Sequence, residues 1–278
     1  MVTEVQALFH AWQPPGGVLG RIIAEAGARA AALSDREEDL RNEARMAFPA
    51  RSMRSALLQA EVAIVAEVKR SSPSRGAINT SLSAAVQALA YSSGGASAIS
   101  VLTEPLDFGG SIDDLRVVAQ AARLPVLRKD FIVDELQIIE ARAAGAAAVL
   151  LIVRALPPSR LRVLLGTARH WGIEALVEIR SEQELELAVR EGAALIGVNN
   201  RNLETLELDM QTSQRLLPLV PGDLIAIAES GIVSAEEVRR AAECGADAVL
   251  VGSSLSAAAD PAFAVRALTG VKRLGRAN

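Results

Sequence analysis

The chain has 278 residues, half of them hydrophobic, with 29 Lys and Arg against 33 Asp and Glu for a net charge of −4. That balance gives no bulk attraction to phosphate backbones, which speaks against general nucleic-acid binding. A single cysteine, Cys244, rules out an internal disulfide or a multi-cysteine zinc site, and two histidines, His10 and His170, are too few for a multi-histidine metal centre.

At the N-terminus no basic segment runs into an apolar stretch as in a secretory signal, so the expected location is the cytoplasm. Gln-Pro-Pro-Gly-Gly at 13–17 breaks whatever precedes it, and residues 17–47 read as one or two helices. Leu19, Ile22, Ile23, Ala26, Ala30 and Leu33 form their apolar stripe. From residue 62 onward, short apolar runs rich in β-branched residues recur at 62–69, 98–103, 125–130, 147–153, 174–180, 195–200, 224–230 and 248–254. Eight near-continuous runs of this length suit parallel strands buried on both faces. Helical patterns lie between them at 81–92, 111–122, 134–144, 181–191 and 234–244, the last two opening with the capping-box patterns Ser-Glu-Gln-Glu and Ser-Ala-Glu-Glu. The longest strictly apolar run, 146–153, is far short of the ~18 residues a membrane span needs, so no membrane partner is expected.

Strand and helix alternating eight times predict an α/β fold, a single (β/α)8 TIM barrel. Residues 1–278 read as one domain, with 1–60 a helical extension covering one end of the barrel and the polar tail 272–278 frayed. The rival fold, a doubly wound open sheet, is disfavoured by the count of eight and by the missing Gly-x-Gly-x-x-Gly turn.

Charge inside a buried strand needs a reason, and several runs carry it at their ends. The first ends in Glu67 and Lys69, two apart and so on one side of the strand. The third ends in Arg128, Lys129 and Asp130, the fifth in Glu178 and Arg180, the sixth in Asn199 and Asn200 with Arg201 next. If these sides face the barrel axis, the groups converge on the C-terminal face, where barrel enzymes keep their chemistry. A rim ion pair explains any one of them, but not charges on three strands together. Ser230-Gly231 after the seventh run and Gly252-Ser253 within the eighth put small residues and backbone N–H groups where barrels often bind phosphate.

These motifs resemble the indole-3-glycerol-phosphate synthase family. The matching blocks, in family order over about residues 60–256, are Ala-Glu-Val-Lys-Arg-Ser-Ser-Pro-Ser at 66–74, Ser-Val-Leu-Thr-Glu at 100–104, Phe-Gly-Gly-Ser at 108–111, Pro-Val-Leu-Arg-Lys-Asp-Phe-Ile at 125–132, Leu-Val-Glu-Ile at 176–179, Ile-Gly-Val-Asn-Asn-Arg-Asn-Leu at 196–203, Ala-Glu-Ser-Gly-Ile at 228–232 and Val-Gly-Ser-Ser-Leu at 251–255. The resemblance implies a decarboxylating ring closure in tryptophan biosynthesis, without cofactor or metal, on a small phosphorylated substrate. It implies Lys129 as general acid, Lys69 and Glu178 as proton carriers in a later dehydration, and Glu67 beside them. Asn199 and Ser230 would position the substrate, and Arg201 lies near the site. Gly231, Gly252 and Ser253 would cradle the phosphate, with Ser72 nearby and Glu229 only supporting. Lysines crowded by cations away from water are expected to have lowered pKa values. With 3% aromatic residues, the substrate ring should lie mainly against aliphatic side chains, Phe108 and Phe131 being the aromatic candidates. Lys69, Lys129 and Arg201 should make the barrel mouth positive.

Against the family pattern, Leu136 stands where an aromatic residue is common and Arg75 where a lysine is usual. The first 16 residues are longer and more irregular than typical. The charged helix faces show no seam, so a monomer is expected, with a weak dimer as the alternative. The nearest enzyme alternative, a phosphoribosylanthranilate isomerase, would need an aspartate and a cysteine at strand ends, whereas Cys244 lies in a predicted helix. A non-catalytic binding barrel is the other alternative; a retired enzyme usually loses one of the polar groups that are all present here.

Overall fold

A computed structural model describes residues 12–276. The expectations for His10, for the start of the extension and for the last two residues lie outside the described residues. Eight strands alternate with helices: β1 (Ala63–Val68), β2 (Ala98–Leu102), β3 (Val126–Lys129), β4 (Ala148–Ile152), β5 (Glu174–Ile179), β6 (Leu195–Asn199), β7 (Ile225–Glu229) and β8 (Ala248–Val251). Each is parallel to the next, and β8 returns to β1 with Ala63 opposite Ala248, which closes the barrel. The strands sit inside the predicted runs but stop earlier. Lys69, Asp130, Arg180, Ser230 and Gly252 therefore fall in the loops just beyond them, where the mouth is built.

Strand parity sorts the side chains. Leu102 pairs with Lys129, Ile152 with Glu178, and Asn199 with Glu229. Such neighbours in register point to the same side of the sheet, and Glu67, Lys129, Glu178 and Glu229, from alternate strands, form one layer across the barrel axis. Below that layer the interior is apolar, and β1 through β8 are buried almost throughout. Hence the acidic and basic residues of this layer meet a dry floor below and the mouth above.

Three of the crossover helices start as their sequences predict. Ser111 accepts from the Asp114 amide at the head of α5 (112–121), Ser181 from the Glu184 amide at α8 (182–190), and Ser234 from the Glu237 amide at α10 (235–243). The box at Ser181 is incomplete: the Glu184 carboxylate accepts instead from the Arg180 amide at 2.6 Å. A full box forms at Asp134, where Gln137 reaches back, at the head of α6 (135–143).

The extension does not simply cover one end. Its two longer helices, α1 (Gly17–Ala31) and α2 (Glu37–Met46), are separated by a 3-10 turn at Ser34–Arg36. The α1 stripe of Leu19, Ile22, Ala26 and Ala30 is buried, and Val18 and Ile22 reach the barrel mouth. Helix α2 instead packs against α6 through Leu40, Ala44, Leu136 and Ile139. The short α3 (Met53–Leu57) sits at the opposite end, where Ser52 and the Arg54 amide donate to Glu174 at the start of β5. The polar tail is not frayed through Arg276. Buried Asp247 draws in Arg273 at 3.0 Å and Arg276 at 2.8 Å, which latches the tail beneath β7 and β8. Among the described residues no helix is long and apolar enough to cross a membrane.

Candidate active site

A cavity of about 340 Å³ opens at the C-terminal face of the barrel. Leu102, Leu150, Ile152 and Leu250 form its floor, and Glu67, Lys129, Asn199 and Glu229 stand above them. Lys69 extends from just beyond β1 and donates to Glu67 Oε1 at 2.9 Å. Lys129 Nζ lies 3.4 Å from both Glu178 Oε2 and Glu229 Oε2. The other Glu178 oxygen accepts from Asn199 Nδ2 at 2.9 Å, and Asn199 Oδ1 accepts from the Arg201 amide at 2.9 Å. Two lysines and three glutamates thus share one nearly dry layer, each tied to at least one other member.

Electrostatics in this layer run opposite to the sequence expectation for the lysine. Burial alone would lower Lys129, but Glu229, Glu178 and Glu67 outweigh it and hold the ammonium above the usual lysine range. Burial, partly offset by Lys129 and reinforced by Glu178 and Glu67, pushes Glu229 up to about 8. Glu229 Oε1 is buried without a hydrogen-bond partner and lies over Gly197, where any Cβ would collide with it.

The rim is different in character. Arg75 and Arg201 both line the cavity, and no carboxylate pairs with either among the described residues. Burial and then Arg75 lower the Arg201 pKa. Arg201 also donates to the Leu206 carbonyl at 2.6 Å, which holds Leu206 in a left-handed conformation with φ of 66°. The mouth is therefore positive at the rim, while its lysines are neutralised below; Lys69 and Lys129 do not form one positive cluster with Arg201.

Ser230 has φ of 68°, an uncommon conformation for a residue with a side chain, and Gly231 follows at 85°. With Ser72, Gly252, Ser253 and Ser254 they line one end of the cavity. The short helix α11 (Ser253–Ser256) begins immediately after the β8 turn. Buried Ser254 Oγ has no partner. The rings of Phe108 and Phe131 lie 6.2 Å apart at 40°, and Lys69 Nζ is 5.7 Å from the Phe108 centroid. Val18, Ile22, Leu203 and Leu206 complete an aliphatic wall.

The catalytic and binding residues expected from the sequence line this cavity except Glu178, which lies behind Lys129 and Asn199, whereas Arg128, Arg180 and Asn200 turn away, Arg128 to Glu140, Arg180 to the Asn199 carbonyl and Asn200 to the Ser230 carbonyl. The sequence resemblance gives Glu229 a supporting place, but it contacts Lys129 directly, and its register beside Asn199 is the signal for this. The aliphatic wall left no signal in the barrel pattern. Cys244 caps the C-terminal end of α10 and does not reach the cavity, which removes the cysteine-dependent alternative. Glu25, Glu104 and Asp107 converge as metal ligands could, but Arg21 lies 2.8 Å from Asp107 and Arg29 3.3 Å from Glu104. Glu104 also accepts three backbone amides, so the cluster serves as a loop clamp.

A closed parallel barrel with acid–base groups in its top layer and Gly-Ser turns after its last two strands is the plan of a (β/α)8-barrel enzyme. Among solved structures, thiamine phosphate pyrophosphorylase from Pyrococcus furiosus shares this fold at 18% identity and a TM-score of 0.57, covering 78% of this chain and 96% of that one. Residues 19–268 match the model of the family described as indole-3-glycerol phosphate synthase. An indole-3-glycerol phosphate synthase 2 of Streptomyces coelicolor is 45% identical over 91% of this chain and 99% of its own. An indole-3-glycerol phosphate synthase of a Nocardioides species is 54% identical over 75% of this chain and 80% of its own. The chain belongs to the indole-3-glycerol phosphate synthase family.

Proposed function

We propose that the protein converts 1-(2-carboxyphenylamino)-1-deoxyribulose 5-phosphate to indole-3-glycerol phosphate, CO2 and water. One observation carries the residue assignment: Lys129 stands between Glu178 and Glu229, with Lys69 and Glu67 in the same layer. The aromatic carbon bearing the carboxylate attacks the ketone carbon while Lys129 donates a proton to the ketone oxygen. Loss of CO2 returns the bonding electrons to the ring. The new hydroxyl then leaves as water, protonated by Lys69 or Lys129, as Glu178 takes the proton that completes the indole. Carboxylates and ammonium groups already in contact can exchange these protons over short distances.

The substrate's two ends fit the two ends of the cavity. The phosphate lies at Ser72, Ser230, Gly231, Gly252 and Ser253, where backbone N–H groups are available and Lys69 is near. The ring lies between Phe108 and Phe131 and the aliphatic wall. Arg75 and Arg201, which have no carboxylate partner among the described residues, supply attraction for the second negative charge. We place the enzyme in the cytoplasm as a monomer of one domain, consistent with a net charge of −4 and no membrane-spanning helix among the described residues. Incubation with the ribulose phosphate is expected to generate indole fluorescence in proportion to enzyme; a folded enzyme producing none contradicts the assignment.

Glu229 gives a pH prediction. As pH rises through about 8 the Glu229 carboxyl ionises, binds the Lys129 proton more tightly and weakens the acid. The kcat of the wild type should therefore fall on that side. Glu229→Gln, neutral at every pH, should flatten the limb between pH 7 and 9 (a window set by the Glu229 value). An unchanged alkaline limb in the variant counts against this role.

A further inference from the structure

Beyond the cavity wall, one fully buried hydroxyl pair faces the end of β1 that carries Glu67 and Lys69. Tyr91 comes from α4 (Ala84–Ser93), the helix that follows β1, and Ser256 is the last residue of α11. Tyr91 is 0% and Ser256 1% exposed. Ser256 Oγ donates to the Glu67 carbonyl at 3.0 Å, and Tyr91 Oη lies 3.1 Å from the same carbonyl. The two hydroxyls are 3.2 Å apart, and the Lys69 amide donates to Ser256 Oγ at 3.1 Å.

The pairing of β1 with β8 ends at Ala66 opposite Val251, so beyond it the hydroxyls take the place of a ladder partner for these backbone groups. The Glu67 carbonyl and the Lys69 amide flank Val68, and one side chain binds both. Their separation, and hence the direction in which Lys69 leaves the strand, is fixed by Ser256. The same short helix begins at Ser253, in the turn that lines the cavity. Gly252 completes the contact: a Cβ there would collide with the Glu67 carboxylate. Burial pushes the Tyr91 phenol up to about 12, so it remains a hydrogen-bond donor.

We propose that Ser256 and Tyr91 are positioning residues that tie the turn after β8 to the exit of β1, so that a phosphate held on that turn and the Lys69 ammonium keep a fixed spacing. This rests on the reading of Lys69 as a proton carrier. Neither residue lines the cavity. Both substitutions, Ser256→Ala and Tyr91→Phe, remove only an oxygen and leave the packing volume nearly unchanged.

The test is steady-state kinetics on the ribulose phosphate, with thermal unfolding to verify the fold, for each variant alone and combined with Lys69→Ala. Each single variant is expected to lose roughly tenfold to a hundredfold in kcat, the scale of a small misplacement at a reacting centre, with KM within about threefold. In the Lys69→Ala background the same substitutions should change kcat less than about twofold, because the group they position is gone. An equal loss in both backgrounds, or wild-type kcat in both single variants, overturns the tie while leaving the catalytic reading intact. Full activity of Lys69→Ala alone overturns the catalytic reading and the tie with it. If Ser256→Ala fails to fold, Tyr91→Phe alone decides between these results.

Discussion

Lys129→Ala should lower kcat by about 10²- to 10⁴-fold, the range of a positioned general acid. The lysine contacts Glu178 and Glu229 at 3.4 Å each and is the group in the top layer placed between two carboxylates. Its loss removes the proton for the ketone oxygen and leaves Glu67, Glu178 and Glu229 facing an anionic substrate. The fold should persist, because Glu229 already lies near 8 and a further proton on the carboxylates relieves the repulsion. Kinetics at saturating substrate, with unfolding followed in parallel, separate lost chemistry from lost protein. Full activity at saturation shows that the acid is another group.

Glu178→Gln should cost a comparable factor, about 10²- to 10⁴-fold in kcat, with little change in KM. The amide keeps the carboxylate's shape, and its oxygen can still accept from Asn199, which now holds Glu178 Oε1 at 2.9 Å. That bond turns the amide nitrogen toward Lys129, where two donors meet instead of a donor and an acceptor. The proton acceptor is lost and the lysine loses a partner. KM should hold because Glu178 forms no part of the cavity wall. A rise in KM at constant kcat assigns Glu178 to binding instead.

Much of this site is legible in sequence because barrel strands repeat one rule. Inward residues alternate, and charge at the C-terminal end of a buried run has few places to go but the mouth. Glu67, Lys69, Lys129 and Asn199 follow from that rule and line the cavity. Glu229 obeys it too, but the Ser230-Gly231 turn beside it drew the reading toward phosphate. The Lys129 pKa direction was inaccessible, since it depends on how many carboxylates arrive from other strands. Arg201 looked like a free cation at the mouth; its bond to the Leu206 carbonyl belongs to a loop whose course no periodicity records.

The outer parts are less legible for the same physical reason. The apolar stripe on α1 shows that the helix packs, but not that Val18 and Ile22 would reach the mouth. The tail 272–278 looked solvated because its arginines are polar; the buried Asp247 that binds two of them lies about thirty residues upstream. Local pattern fixes which face of an element is buried, whereas long-range ion pairs decide where a polar segment docks.

The most direct measurement is CO2 release from substrate labelled at the ring carboxylate, followed together with indole fluorescence for the wild type and Lys129→Ala. The wild type should release one CO2 for each indole formed, and Lys129→Ala should lose both signals in parallel. No CO2 release by the folded wild type, or equal rates in the two proteins, contradicts the account.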